Sequence, residues 1–196
     1  MSKSLSFESE VVFNHLQGYN AHLHAYWRAF KKLYRGNAAL IPIFTATAND
    51  FFLLVEKSFL GTMMQMLRTL TDPAMDSRTK SRNASLRGLL FTVYGKDYQT
   101  AAPNLAKLAV LLADQIRPIR KFVNRSVAHS DWNLVSGVEP LQSIPMADVD
   151  AALAIVVQFL DIFSEEFNLA RQDYDEPKMD RELEGMLQLL SRAIES

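Results

Sequence analysis

The sequence predicts an all-α protein, an antiparallel bundle of about four long helices with one or two short ones, and three observations predict it. Apolar residues recur at alternating steps of three and four over long stretches, which lines them along one side of a helix. Most prolines, with Gly36, Gly95 and Gly137, fall between these stretches, where helices stop and start. No run alternates apolar and polar residues as a half-buried strand does. Short connections then make consecutive helices antiparallel neighbours.

The first helix is read from "VVFNHLQGYNAHLHAYWRAFKKLY", in which Val12, Leu16, Tyr19, Leu23, Tyr26, Phe30 and Leu33 form one seam. Gly36 and Pro42 bracket the first connection. A second helix, from around Ala48 to Leu70, carries Phe52, Val55, Phe59, Met63, Met66 and Leu70. Pro73 forbids its continuation. The polar stretch "AMDSRTKSRN" reads as linker. A short helix follows in "SLRGLLFTVYGK", with Asn83 or Ser85 to cap it and Gly95 to end it.

Pro103 opens the next helix, whose apolar residues are Leu105, Leu108, Leu112, Ile116, Ile119, Phe122 and Val123, and Pro118 predicts a kink inside it. A long loop is expected over about residues 132–146, punctuated by Gly137, Pro140 and Pro145. Val149, Leu153, Val156, Leu160, Phe163 and Phe167 form the seam of a further helix, whose first turn Asp148 and Asp150 complement. A last amphipathic helix, about 177–195, uses Leu183, Met186, Leu187, Leu190 and Ile194. The chain reads as one domain over 1–196, with this last helix a candidate appendage.

At 196 residues and 48% apolar the chain has enough material for a core. It contains no cysteine, which excludes disulfides, thiolate zinc sites and a cysteine nucleophile. "MSKSLSFESEVV" lacks the apolar core of a signal peptide, and "LAKLAVLLADQI" is too short and too charged to span a bilayer. A soluble, cytoplasmic protein without membrane contact is therefore expected. The net charge of −1 conceals an asymmetry. Ser77 to His129 holds ten Lys or Arg against two acids, a net of +8, while Glu139 to Ser196 holds thirteen acids against four bases, a net of −9. Such a chain either presents a positive patch to an anion or folds its basic and acidic regions onto each other.

Glycine-rich phosphate loops, zincin motifs and nucleophile elbows are absent. In "HLQGYNAHLH", His15 and His22 share a helix face, but His24 points elsewhere and no acid stands at ligand spacing. These read as surface or interface histidines, and no metal or other cofactor is expected. In "RTLTDP", Arg68 and Asp72 at i and i+4 read as an intrahelical ion pair or a helix-end clamp. "RKFVNRSVAHSDW" is more suggestive. Arg125 and His129 are one turn apart on a shared face, and Arg117, Arg120 and Lys121 add charge within about two turns. Histidine exchanges protons near neutrality, and arginine presents a planar fork of donors to phosphate. Those are the groups that metal-free RNA cleavage uses. A solvated helix surface carries the same spacing without function.

"NRSVAHSD" near the end of a helix in an all-helical chain resembles the signature helix of the HEPN superfamily. "FFLLVEKSFLGTMMQMLRTLTDP", a short gap and "NASLRGLL" resemble its abortive-infection U-type branch, so that the resemblance runs from Trp27 to Asp131. It implies a homodimeric helical bundle of bacterial defence or toxin–antitoxin systems, cleaving RNA without metal where two protomers meet. An antitoxin or another protein is an implied partner. His129 matches the family histidine. The family arginine would fall at Phe122, Val123 or Asn124, none of which is arginine; Arg125 stands in the basic position that follows it. On this reading His129 is the acid/base and Arg125 the phosphate ligand. Arg120, Asn124 and Lys121 bind substrate, and Asp131 either orients the imidazole or closes the helix. The alternative is a catalytically inert HEPN-like dimer binding a partner protein or nucleotide, in which Arg125 pairs with acids between Asp173 and Glu184 of the neighbouring chain.

Overall fold

The helices begin and end where caps and prolines dictate. A computed structural model describes residues 4–35, 40–122, 145–174 and 178–195. Among these residues the regular elements are all helical, and the only β-type contact is an isolated antiparallel bridge between Met75 and Arg82. In chain order the helices are α1 (Phe7–Tyr34), α2 (Leu40–Leu70), α3 (Leu86–Tyr94), a 3-10 turn at Gly95–Asp97, α4 (Tyr98–Ala101), α5 (Pro103–Gln115), α6 (Arg117–Phe122), α7 (Met146–Phe167) and α8 (Lys178–Glu195). No helix among the described residues is long and apolar enough to cross a membrane.

The chain divides into two compact units, the first made of Met1–Asn20 and Met64–Gln172, the second of Ala21–Met63 and Asp173–Ser196. In the first unit α7 is the central apolar element. All six residues of its expected seam are buried. Phe163 is wholly enclosed, its ring stacked on Phe13 at 5.1 Å and set against Phe167 at 4.8 Å. α5 packs along α7 and buries Leu105, Leu108 and Leu112. Gln115 closes the far end by donating to the Asp148 carbonyl at 3.3 Å.

α3 has the cap that its sequence announces. Ser85 adopts an extended conformation, and its hydroxyl accepts from the Gly88 N–H at 3.0 Å. Gly95 ends the helix at a φ of 71°, where a Cβ would be strained. The expected kink at Pro118 is a break between two helices. Ile116 leaves helical geometry (φ −89°, ψ 5°), and Pro118 then sits in the first turn of α6, where its missing N–H leaves no hydrogen bond unmade.

α1 departs from its expected seam. Leu16, Leu23, Phe30 and Leu33 are buried as anticipated, but Phe13, Gln17, Asn20 and Trp27 are buried in place of Val12, Tyr19 and Tyr26. A strict three-and-four repeat drifts around a straight helix by about 20° per heptad, so over 28 residues the inward face outgrows the narrow seam. Gln17 is satisfied within the first unit by donating to the Ala170 carbonyl at 3.1 Å.

In the second unit α2 begins at Leu40 and is interrupted at Ala48 (φ −165°, ψ 68°), the residue at which the sequence placed its start. The interruption is a sharp bend. In a straight helix Phe44 and Phe52 would be separated by about 12 Å of rise, yet their rings stack with centroids 4.0 Å apart. Thr45 and Thr47 return their hydroxyls to the carbonyls of Ile41 and Ile43, a bonding pattern that bends helices. Leu33, Leu40 and Phe44 form the core here, packed by Tyr34, Ile43 and Phe52 and by Leu183, Leu187 and Leu190 of α8. An ion pair between Lys32 and Glu184 adds to the contact of α8 with α1.

Candidate functional site

The end of α2, the start of α3 and α6 converge in the first unit, and the side chains joining them come from "RTLTDP", from Ser85 and from Arg120. After Leu70 the chain tightens: the Thr71 N–H reaches the Arg68 carbonyl at 3.1 Å, and the Asp72 N–H reaches that of Thr69 at 3.2 Å. Thr71, nearly enclosed, donates its hydroxyl to the Arg68 carbonyl at 2.9 Å. Ser85 donates to the Asp72 carbonyl at 2.9 Å while capping α3, so one buried hydroxyl fastens two helix ends. Asn83 reaches the Pro73 carbonyl at 2.7 Å.

Arg120 completes the join from α6. Its Nε donates to Thr71 Oγ1 at 3.1 Å, and its Nη2 donates to the same oxygen and to the Arg68 carbonyl at 3.1 Å. Nη2 also lies 3.4 Å from Asp72 Oδ1. The donors and acceptors balance: Thr71 Oγ1 gives one hydrogen bond and receives two, the full capacity of a hydroxyl. Asp72 thus pairs with Arg120 rather than with Arg68, since the helix ends before the i, i+4 geometry is complete. The motif is a helix-end clamp whose cation comes from a distant helix. About a third of the Arg120 side chain remains exposed, and Nη1 is the nitrogen not spent in the clamp.

Of the residues expected to act, Arg120 is therefore placed and chiefly engaged within the protein, and Lys121 lies in α6. Asn124, Arg125, His129 and Asp131 lie outside the described residues. The share of Thr71 and Ser85 in the clamp is not legible in the sequence, where a hydroxyl directly after one helix end and another before the next helix are the available signals.

Around the clamp the basic stretch is largely exposed. Arg78, Lys80, Lys96 and Lys107 face solvent, whereas Arg82 pairs with Glu8 at 2.7 Å and Arg117 pairs with Asp114. Asp76, receiving the N–H groups of Arg78 and Thr79 and the Thr79 hydroxyl, has its carboxyl held below the usual range by those hydrogen bonds. Among the acids of the C-terminal third, Asp161 and Glu165 pair with Arg171 close to them in sequence.

Two partly buried tyrosines stay protonated at neutral pH. Tyr94 is raised by burial and by its hydrogen bond to Glu166. In the second unit Tyr34, which donates to the Phe52 carbonyl at 3.0 Å, is pushed up to about 12 by burial and by Glu56. His24 stacks on Tyr174 at 5.4 Å, and His15 and His22 are exposed. Among the described residues no three His, Asp or Glu side chains are grouped to hold a metal ion.

No family model, curated protein or solved structure matches this chain.

Proposed function

We propose that the chain is a HEPN-type helical bundle of the abortive-infection U-type kind, a cytoplasmic homodimer that binds and cleaves RNA without metal through the segment from Arg120 to Asp131. The observation that carries this reading is the clamp. It fixes α6, which leads into the Arg125 and His129 segment, against the "RTLTDP" stop, the other stretch on which the resemblance rests. The exposed cations of the basic stretch supply the field that draws a polyanion. His129 acts as the acid/base, and Arg125 holds the phosphate as charge develops. The setting is a bacterial defence or toxin–antitoxin system, with an antitoxin or other protein as partner.

Purified wild type is expected to cleave RNA with EDTA present, and His129→Ala is expected to lose that cleavage while circular dichroism shows unchanged helicity. Equal cleavage by both proteins would overturn the assignment. A second reading, an inert HEPN-like module binding a partner protein or nucleotide, is favoured by one observation: Phe122, Val123 and Asn124 stand where the family carries its arginine. Cleavage gained by Val123→Arg or Asn124→Arg over an inactive wild type identifies a scaffold lacking only that cation. No gain in either supports pure binding.

A further inference from the structure

We propose that the outward face of α2 in the second unit docks on the same face of a second copy of this chain, with the two helices antiparallel and the two-fold axis passing between Leu53 and Leu54. Phe51, Leu53 and Leu54 are 59%, 46% and 63% exposed, three large apolar side chains within four residues. Scattered apolar residues on a surface are ordinary, but a cluster of this kind marks a contact. The opposite face is occupied: Phe52 packs on the Leu33–Leu40–Phe44 core, and Met63 is fully buried.

Charge complementarity identifies the occupant. Asp50, Leu54, Lys57 and Gly61 are spaced four, three and four apart and form one ridge beyond the break at Ala48. Asp50 and Lys57 are both exposed. Asp50 accepts only from the Asn49 amide, at 3.3 Å, and Lys57 makes no ion pair among the described residues. An antiparallel two-fold centred between Leu53 and Leu54 places Asp50 of each copy opposite Lys57 of the other, so that two ion pairs flank a leucine contact. A parallel arrangement sets aspartate against aspartate and lysine against lysine. The ridge is therefore self-complementary in one direction only. A single helix pair buries less than the roughly 1,200–2,000 Å² of a tight complex, so micromolar affinity is expected. The inference concerns the second unit alone and holds whether or not the chain acts on RNA.

Sedimentation of the full chain over a concentration series tests it. Wild type is expected to show a reversible, concentration-dependent association step through this face, and Leu54→Glu to lose that step. Asp50→Lys and Lys57→Asp are each expected to weaken association by about tenfold or more, because like charges then meet at both ends. The double variant Asp50→Lys/Lys57→Asp restores the pairing and with it the dimer. All three positions face solvent, so circular dichroism should be unaltered. A monomeric wild type at every concentration overturns the proposal, as does a dimer indifferent to these substitutions or a double variant no tighter than the singles.

Discussion

Phe163→Ala is expected to destabilise the first unit by about 3–5 kcal/mol, the cost of removing a fully enclosed phenyl ring and leaving a cavity that its neighbours only partly fill. Phe163 has no exposed surface, and its ring lies against Phe13 of α1, Phe167 of the same helix and, at 6.4 Å, Phe159. Phe13 and Phe167 each lose their stacking partner, which adds to the loss of buried area. The neighbours are large and rigid, which limits collapse into the space. Urea denaturation followed by circular dichroism measures the difference. A loss below about 1.5 kcal/mol would mean that this aromatic stack is not a core.

Gly88→Ala is expected to be nearly as damaging, for a different reason. A Cβ at this position would lie 1.9 Å from the Asn83 carbonyl oxygen and 3.3 Å from Ser85 Oγ. The obstacle is backbone, so relief requires the Asn83–Ser85 turn to move, and that turn carries the α3 cap and the bond to the Asp72 carbonyl. Overpacking costs about 1–3 kcal/mol and a lost serine cap about 1 kcal/mol more. The same change at Gly185 in α8, where a Cβ meets nothing within 4 Å, is expected to stabilise by about 0.5–1 kcal/mol through helix propensity. Opposite signs for one chemical change separate close approach from backbone entropy. Equal effects at the two positions would refute the geometry assigned to the α3 entry.

Features that depend on local chemistry were legible in the sequence. The α7 seam, the Ser85 cap, the Gly95 end, the stop before Pro73 and the division at Pro118 each follow from a few neighbouring residues. Features set by distant packing were not. The α1 face widens to take in Phe13, Gln17 and Trp27 because the seam drifts around the helix and the surrounding core decides which of the flanking residues are covered. The bend at Ala48 lies in a run whose threonines, Asn49 and Asp50 are weak helix formers but that holds no glycine or proline closer than Pro42, and the stacking of Phe44 on Phe52 emerges only in three dimensions. Arg120 stands in a cationic stretch, which suggests a substrate-binding residue; the acceptors that engage it are 48 to 52 residues away in sequence.

Arg120 holds α6, and so the approach to the Arg125–His129 segment, onto the end of α2 through the Thr71 hydroxyl. A double-mutant cycle on stability with Arg120→Met, Thr71→Val and the double variant tests it most directly. Charge-assisted hydrogen bonds from a partly exposed guanidinium predict a coupling of about 1 kcal/mol, with Thr71→Val costing only its bond to the Arg68 carbonyl once Arg120 is gone. Additivity within about 0.3 kcal/mol would show that the two side chains do not act together.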